Sequence, residues 1–207
     1  MSSPSHNEVL RKSAGTNVRH AVARILAAYD AASKTEMVEG LAWYPQAQQA
    51  ALSLADRLGG VEYAAAVIAQ LSPRTMWGRN LMGAADMANG IVPAYCIGAN
   101  VKRAQLALES DDPIETINGP KTSRFARNIM GDESVVTVDV WAARLALYGT
   151  RTNWRGENNT DAEKILGRKG VYEAIEHAYK IAAQKRGVTP AQMQAVAWCV
   201  SRNGRSN

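Results

Sequence analysis

The chain has little from which to build a covalent or metallic scaffold. Cys96 and Cys199 are the only cysteines in 207 residues. Neither a disulfide framework nor a four-cysteine metal or cluster site is therefore available. Reduced thiols of a cytoplasmic protein fit this usage. The three histidines, His6, His20 and His177, stand far apart and show no metal-ligand spacing, so no metal and no other cofactor is expected. No apolar run is long enough to span a bilayer. Met1–His6 lacks the apolar centre of a signal peptide. No membrane partner is expected. Strand-like alternation and internal repeats are missing as well. Charge of one sign is only slightly in excess: 24 Lys+Arg against 19 Asp+Glu give a net +5. That suits a polyanionic partner and equally a solvated surface.

Helical periodicity is present throughout. Residues 1–14 are polar and read as a flexible N-terminus. Thr16 is placed to cap a helix carrying Val18, Val22, Ile25, Leu26 and Tyr29. A short helix over Glu36–Trp43 and a second over Gln46–Leu58, started by Pro45, come next. Val61–Leu71 is apolar all round and is the candidate central buried helix. Ser72-Pro73-Arg74-Thr75 breaks it, and Trp77–Ala88 resumes. Asn100 is expected to cap Val101–Leu108. Val140–Tyr148, Asp161–Gly167 and Val171–Gln184 follow, with a polar connection over residues 150–160 that holds Arg151, Trp154 and Arg155. A Thr-x-x-Gln capping box at Thr189–Gln192, with Pro190 at the first helical position, opens the last helix. The class expected is all-α, and the length allows one sizeable domain or two small lobes.

The chemistry concentrates in Asn118-Gly119-Pro120-Lys121-Thr122 and in Asp139, eighteen residues after the lysine. Gly119 supplies the positive φ of a tight turn, and Pro120 suits the first turn of a helix that Gly131 ends. Phe125 and Ile129 share a buried face, and Lys121, Arg124 and Asn128 another. Val138 leads to Asp139 at the start of the next helix. A cation and a carboxylate thus each stand at a helix N-terminus.

Gly119, Lys121 and Thr122, then Val138-Asp139 and Arg144, resemble the motif of the helix-hairpin-helix (HhH-GPD, endonuclease-III-like) DNA glycosylases. That family's pattern is roughly Leu-Pro-Gly-x-Gly-x-Lys-Thr-Ala followed by Val-Asp-Thr-His-x-x-Arg. A second stretch agrees: Leu71-Ser72-Pro73-Arg74-Thr75, with Asn80 after it, is similar to the lesion-facing Leu-Ser-x-Gln-Thr segment. The likeness covers Tyr63–Leu147. Trp43-Tyr44-Pro45 and Gln194-Ala195-x-x-Trp198 are similar to elements of small bacteriophage proteins. Ile117 stands where the first hairpin glycine falls, Val140-Trp141 replaces Thr-His, and Arg74 replaces a glutamine. The absent cluster cysteines place the resemblance with the cluster-free branch.

The resemblance implies a two-lobed all-α domain over residues 15–203. Its central lobe would cover 60–148, its other lobe would come from both chain ends, and the DNA cleft would lie between them. It implies double-stranded DNA as partner, a monomer, and the cytoplasm, or the host cytoplasm for a phage protein. The reaction implied is base excision at C1′ of a flipped nucleotide. Asp139 would stabilise positive charge on the deoxyribose. Lys121 would attack as a nucleophile, with AP-lyase activity, if burial or cations such as Arg124 keep its amine neutral. Asn118, Gly119, Thr122 and Arg124 would grip phosphate, with Lys102, Arg103 and Arg127 adding contacts. Arg74 or Trp77 would fill the gap left by the base. Bland readings compete: Asp139 as an N-cap alone, Lys121 as a phosphate contact, and the tryptophans Trp43, Trp77, Trp141 and Trp198 as packing. Two other functions remain open: a phage enzyme acting on a hypermodified base, and a non-enzymatic helix-hairpin-helix module.

Overall fold

A computed structural model of the chain describes residues 4–150 and 158–202, without the side chains of 158–160. Those residues are all-helical, with no strand among them. The elements are α1 (His6–Ala14), α2 (Val18–Asp30), α3 (Lys34–Leu58), α4 (Val61–Leu71), α5 (Trp77–Ala88), α6 (Gly98–Leu108), α7 (Pro120–Ile129), α8 (Val140–Tyr148), α9 (Asn158–Leu166), α10 (Val171–Arg186) and α11 (Pro190–Ser201).

Several helices differ from the sequence-based expectation. The N-terminus is not frayed from residue 4 on. Ser5 and Glu8 close a capping box that starts α1, and Val9 and Leu10 bury its inner face. Asn17, not Thr16, caps α2, and Thr16 is instead buried and accepts from Arg24. Pro45 does not begin a new helix; it sits inside the single helix α3. Asn100 is no cap either, because α6 begins at Gly98. The connection after residue 150 is shorter than expected, since α9 already runs from Asn158. Arg151, Trp154 and Arg155 lie outside the described residues.

The chain forms two compact units. One takes the chain up to Trp43 and resumes at Glu133; the other is Tyr44–Asp132. The middle unit therefore does not span 60–148. It ends before Asp139, because α8 buries six successive residues, Ala142–Leu147, against the elements of the chain ends.

In the unit built from the chain ends, α2 packs on α8, α10 and α11, while α1 lies on α10. The core joins Val22 and Ile25 of α2, Leu145 and Leu147 of α8, Ile175 and Tyr179 of α10, and Met193 of α11. In the middle unit α4 is the centre. Its residues Ala64–Leu71 are all buried, and α5, α6 and α7 pack around it. A helix apolar on every side has no solvent face to offer, so it takes the middle of a helical layer.

Candidate active site and nucleic-acid contacts

Asp139 is built into the first unit by an irregular run, Val135–Val138, that is buried without being a strand. Three of its backbone groups are satisfied by side chains of α10 instead of a sheet. The Tyr172 hydroxyl donates to Val136 O (2.8 Å) and accepts from Val138 N (3.0 Å), and Val136 N donates to Glu176 Oε1 (3.2 Å). Asp139 then caps α8, its Oδ1 accepting from Ala142 N at 2.8 Å. Its Oδ2 accepts from the indole Nε1–H of Trp198 at 3.0 Å. The carboxylate is half-buried and held at both oxygens.

The surroundings of this carboxylate are aromatic and cationic. Trp198 packs on Trp43, with ring centroids 5.1 Å apart. The Arg202 guanidinium lies 4.4 Å above the Trp198 ring, and that of Arg144 lies 4.6 Å above Trp141. Arg144 is 2% exposed. Burial pushes its guanidinium below the usual arginine range, and the charges of Asp139 and Glu163 oppose that shift. At the far end of α8, Arg24 donates to Ala146 O (3.2 Å) and to Leu147 O, tying off its last carbonyls.

Lys121 belongs to the middle unit, on the first turn of α7. Gly119 is the N-cap with φ +91°, open space around it and no side chain capping the helix. Pro120 has no N–H, so the amides of Lys121 and Thr122 are the free donors of this end. Asn118, Gly119 and Pro120 are exposed, and Lys121 is half-buried with no hydrogen-bond or ion-pair partner among the described residues. Ile117, at the expected glycine position, is buried and closes a turn by donating its N–H to Ile114 O at 3.1 Å. Thr122 is buried and Arg124 half-buried. Asn128, on the same side of α7, is buried, and its Nδ2 donates to Asp132 O at 2.8 Å. Arg127 is engaged by Asp132, its Nε donating to Oδ2 at 2.9 Å.

Arg74 and Trp77 lie in the same unit, on the α4–α5 turn and the start of α5. Arg74 is exposed and is the non-glycine residue with a positive φ (+58°) among the described residues. The turn that carries it is fastened from below. Asn100 Nδ2 donates to Pro73 O (2.8 Å) and Leu71 O (3.4 Å), and Asn80 Nδ2 donates to Ile68 O (3.0 Å). Trp77 is half-buried and makes an edge-type ring contact with Phe125 of α7, centroids 6.3 Å apart. The structure thus brings α7 and the start of α5 into contact through Trp77 and Phe125.

The chain matches a family described as a family of unknown function, DUF7178, over residues 7–205. It belongs to that family. No curated protein and no solved structure matches it. For this DUF7178 chain the site residues missed in the sequence are Trp198, Tyr172, Glu176 and Asn100. Trp198 carried a signal, its place in Gln194-Ala195-x-x-Trp198, but nothing local tied it to a carboxylate 59 residues away. Among the described residues, no group of three or more His, Cys, Asp or Glu side chains could hold a metal, and no helix is long and apolar enough to cross a membrane.

Proposed function

We propose that this protein is a helix-hairpin-helix DNA glycosylase that excises a damaged or modified base from duplex DNA. The observation that carries the reading is the Asp139 carboxylate, fixed at both oxygens at the N-terminus of a buried helix. In the reaction the N-glycosidic bond breaks and its electron pair leaves with the base. Asp139 stabilises the positive charge left on the deoxyribose, and a nucleophile adds at C1′. A carboxylate that does not reorient as that charge develops is the more effective stabiliser.

The middle unit supplies separate support. Lys121 and the open amides at the start of α7 suit a phosphate oxygen and read no sequence. The exposed Arg74, held in a strained conformation on a turn fastened by Asn100 and Asn80, suits a side chain presented to a duplex.

One observation favours a second reading. Both Asp139 oxygens already accept hydrogen bonds from the fold, as a purely structural cap would. On that reading the chain binds DNA and cuts nothing. Incubation with a panel of lesion-bearing duplexes, with and without borohydride, separates the two. Excision that needs Asp139 supports the enzyme. Borohydride trapping that needs Lys121 adds a Schiff base and lyase activity. Duplex binding without excision supports the module, and conversion of a base without an abasic site supports an enzyme acting on hypermodified DNA.

A further inference from the structure

We propose that Trp198 is a positioning residue for Asp139: its indole N–H sets which lone pairs of the carboxylate remain for substrate. This inference rests on the excision reading above.

A capping aspartate normally has one oxygen tied to the helix and one free to swing. Here Oδ1 is tied by Ala142 N, and Oδ2 is tied by Trp198 Nε1 at 3.0 Å. A carboxylate offers about four lone-pair sites, and an indole N–H is a donor only. Trp198 therefore fixes the orientation of Asp139 and can neither take nor exchange a proton with it. The half-buried carboxylate keeps accepting capacity on each oxygen, now pointing in set directions.

The indole is itself packed by two neighbours. Trp43 of α3 packs at 5.1 Å, and Arg202, the C-cap residue just past α11, lies over the ring at 4.4 Å. The approach of α3 to α11 is set by Gly40, where a Cβ would stand 2.5 Å from Val196 Cα and 2.8 Å from Val196 N. Only glycine allows the backbones so close, and that closeness brings Trp43 onto Trp198.

Trp198→Phe tests the role, because it keeps a ring for Trp43 and Arg202 to pack on and removes the N–H. The expected result is a single-turnover excision rate lower by about 10- to 100-fold, the usual cost of a misplaced reacting group. The Kd for a duplex carrying an uncleavable abasic analogue should stay as in the wild type, and the thermal midpoint should fall only by what one lost hydrogen bond to a carboxylate implies, the fold remaining formed at the assay temperature. An unchanged rate with wild-type excision intact overturns the proposal alone. A rate loss matched by an equal loss of affinity, or a variant already partly unfolded at the assay temperature, also overturns it, because the residue would then be only structural. Wild-type protein that excises nothing overturns the excision reading and this inference with it. A second measurement avoids the reaction: in Asp139→Ala the Trp198 indole N–H resonance should move upfield and exchange faster with solvent. An unmoved resonance shows that the hydrogen bond is not formed, and the proposal fails.

Discussion

Gly40→Ala should damage this fold although alanine is the better helix former. Gly40 is buried inside α3, and an added Cβ would meet Val196 at Cα (2.5 Å), Cγ2 (2.7 Å) and N (2.8 Å). Two of the three atoms are backbone, so no rotamer change relieves the clash and α3 and α11 must separate. Overpacking of this kind costs about 1–3 kcal/mol, and a clash with backbone belongs at the upper end. Replacing a mid-helix glycine by alanine gains about 1 kcal/mol in propensity, leaving a net loss of about 2 kcal/mol. For a chain of this size that lowers Tm by about 4–8 °C. Gly78→Ala is the matched control, because nothing lies within 4 Å of the Cβ it would add on α5. It should hold or raise Tm. Calorimetry or circular-dichroism melts of the three proteins decide the matter. A Gly40→Ala protein as stable as wild type, with unchanged tryptophan fluorescence, would refute the close α3–α11 contact and the seating of Trp43 on Trp198.

Three further outcomes are expected. His177 is exposed, yet partial desolvation, with repulsion from His6, whose ring centroid lies 4.6 Å away, and from Lys180, holds it below its ordinary value of 6.5. The unfolded chain then binds more protons between the lowered value and 6.5. Stability therefore falls as pH drops from neutral through that window and levels off below it; urea midpoints across the window should show this, and His177→Asn should flatten the trend. Lys121→Ala should leave the fold intact, weaken duplex binding evenly across sequences, and reduce the salt slope of binding by about 1 in fluorescence titrations. Asn100→Ala leaves the carbonyls of Leu71 and Pro73 without their donor. It should cost about 1–3 kcal/mol in denaturant melts and make the Arg74 turn more susceptible to limited proteolysis.

Much of this architecture is legible in local sequence. The limits of α4, α5 and α8, the Thr189 capping box, the Gly119 turn and the Asp139 cap are all set by residues within a few positions of one another. Pro45 shows where local reading stops. Proline starts helices more often than it continues them, yet α3 runs through it. Asn100 shows the same limit: an asparagine before an apolar run reads as a cap, but here its amide is used by the carbonyls of a turn 27 residues earlier. The partners of the candidate site are the least legible part. Tyr172 and Glu176 support Val136–Val138 from more than thirty residues away, and Trp198 reaches Asp139 from 59. Nothing in the spacing of a tyrosine, a glutamate and a tryptophan announces contacts made through tertiary packing.

The central claim is that Asp139 stabilises charge during base excision. Asp139→Asn suits the test when a thermal melt accompanies it: asparagine keeps the cap on Ala142 N, but its Nδ2 cannot accept from the Trp198 indole N–H, so the fold should lose about 1–3 kcal/mol and remain formed. The measurement is single-turnover release of base from a panel of lesion-bearing duplexes, for wild type and Asp139→Asn. Wild type should excise at least one lesion, and the variant should be slower by about 100-fold or more. Equal rates for the two proteins, or no excision by wild type on any duplex it binds, would contradict the account.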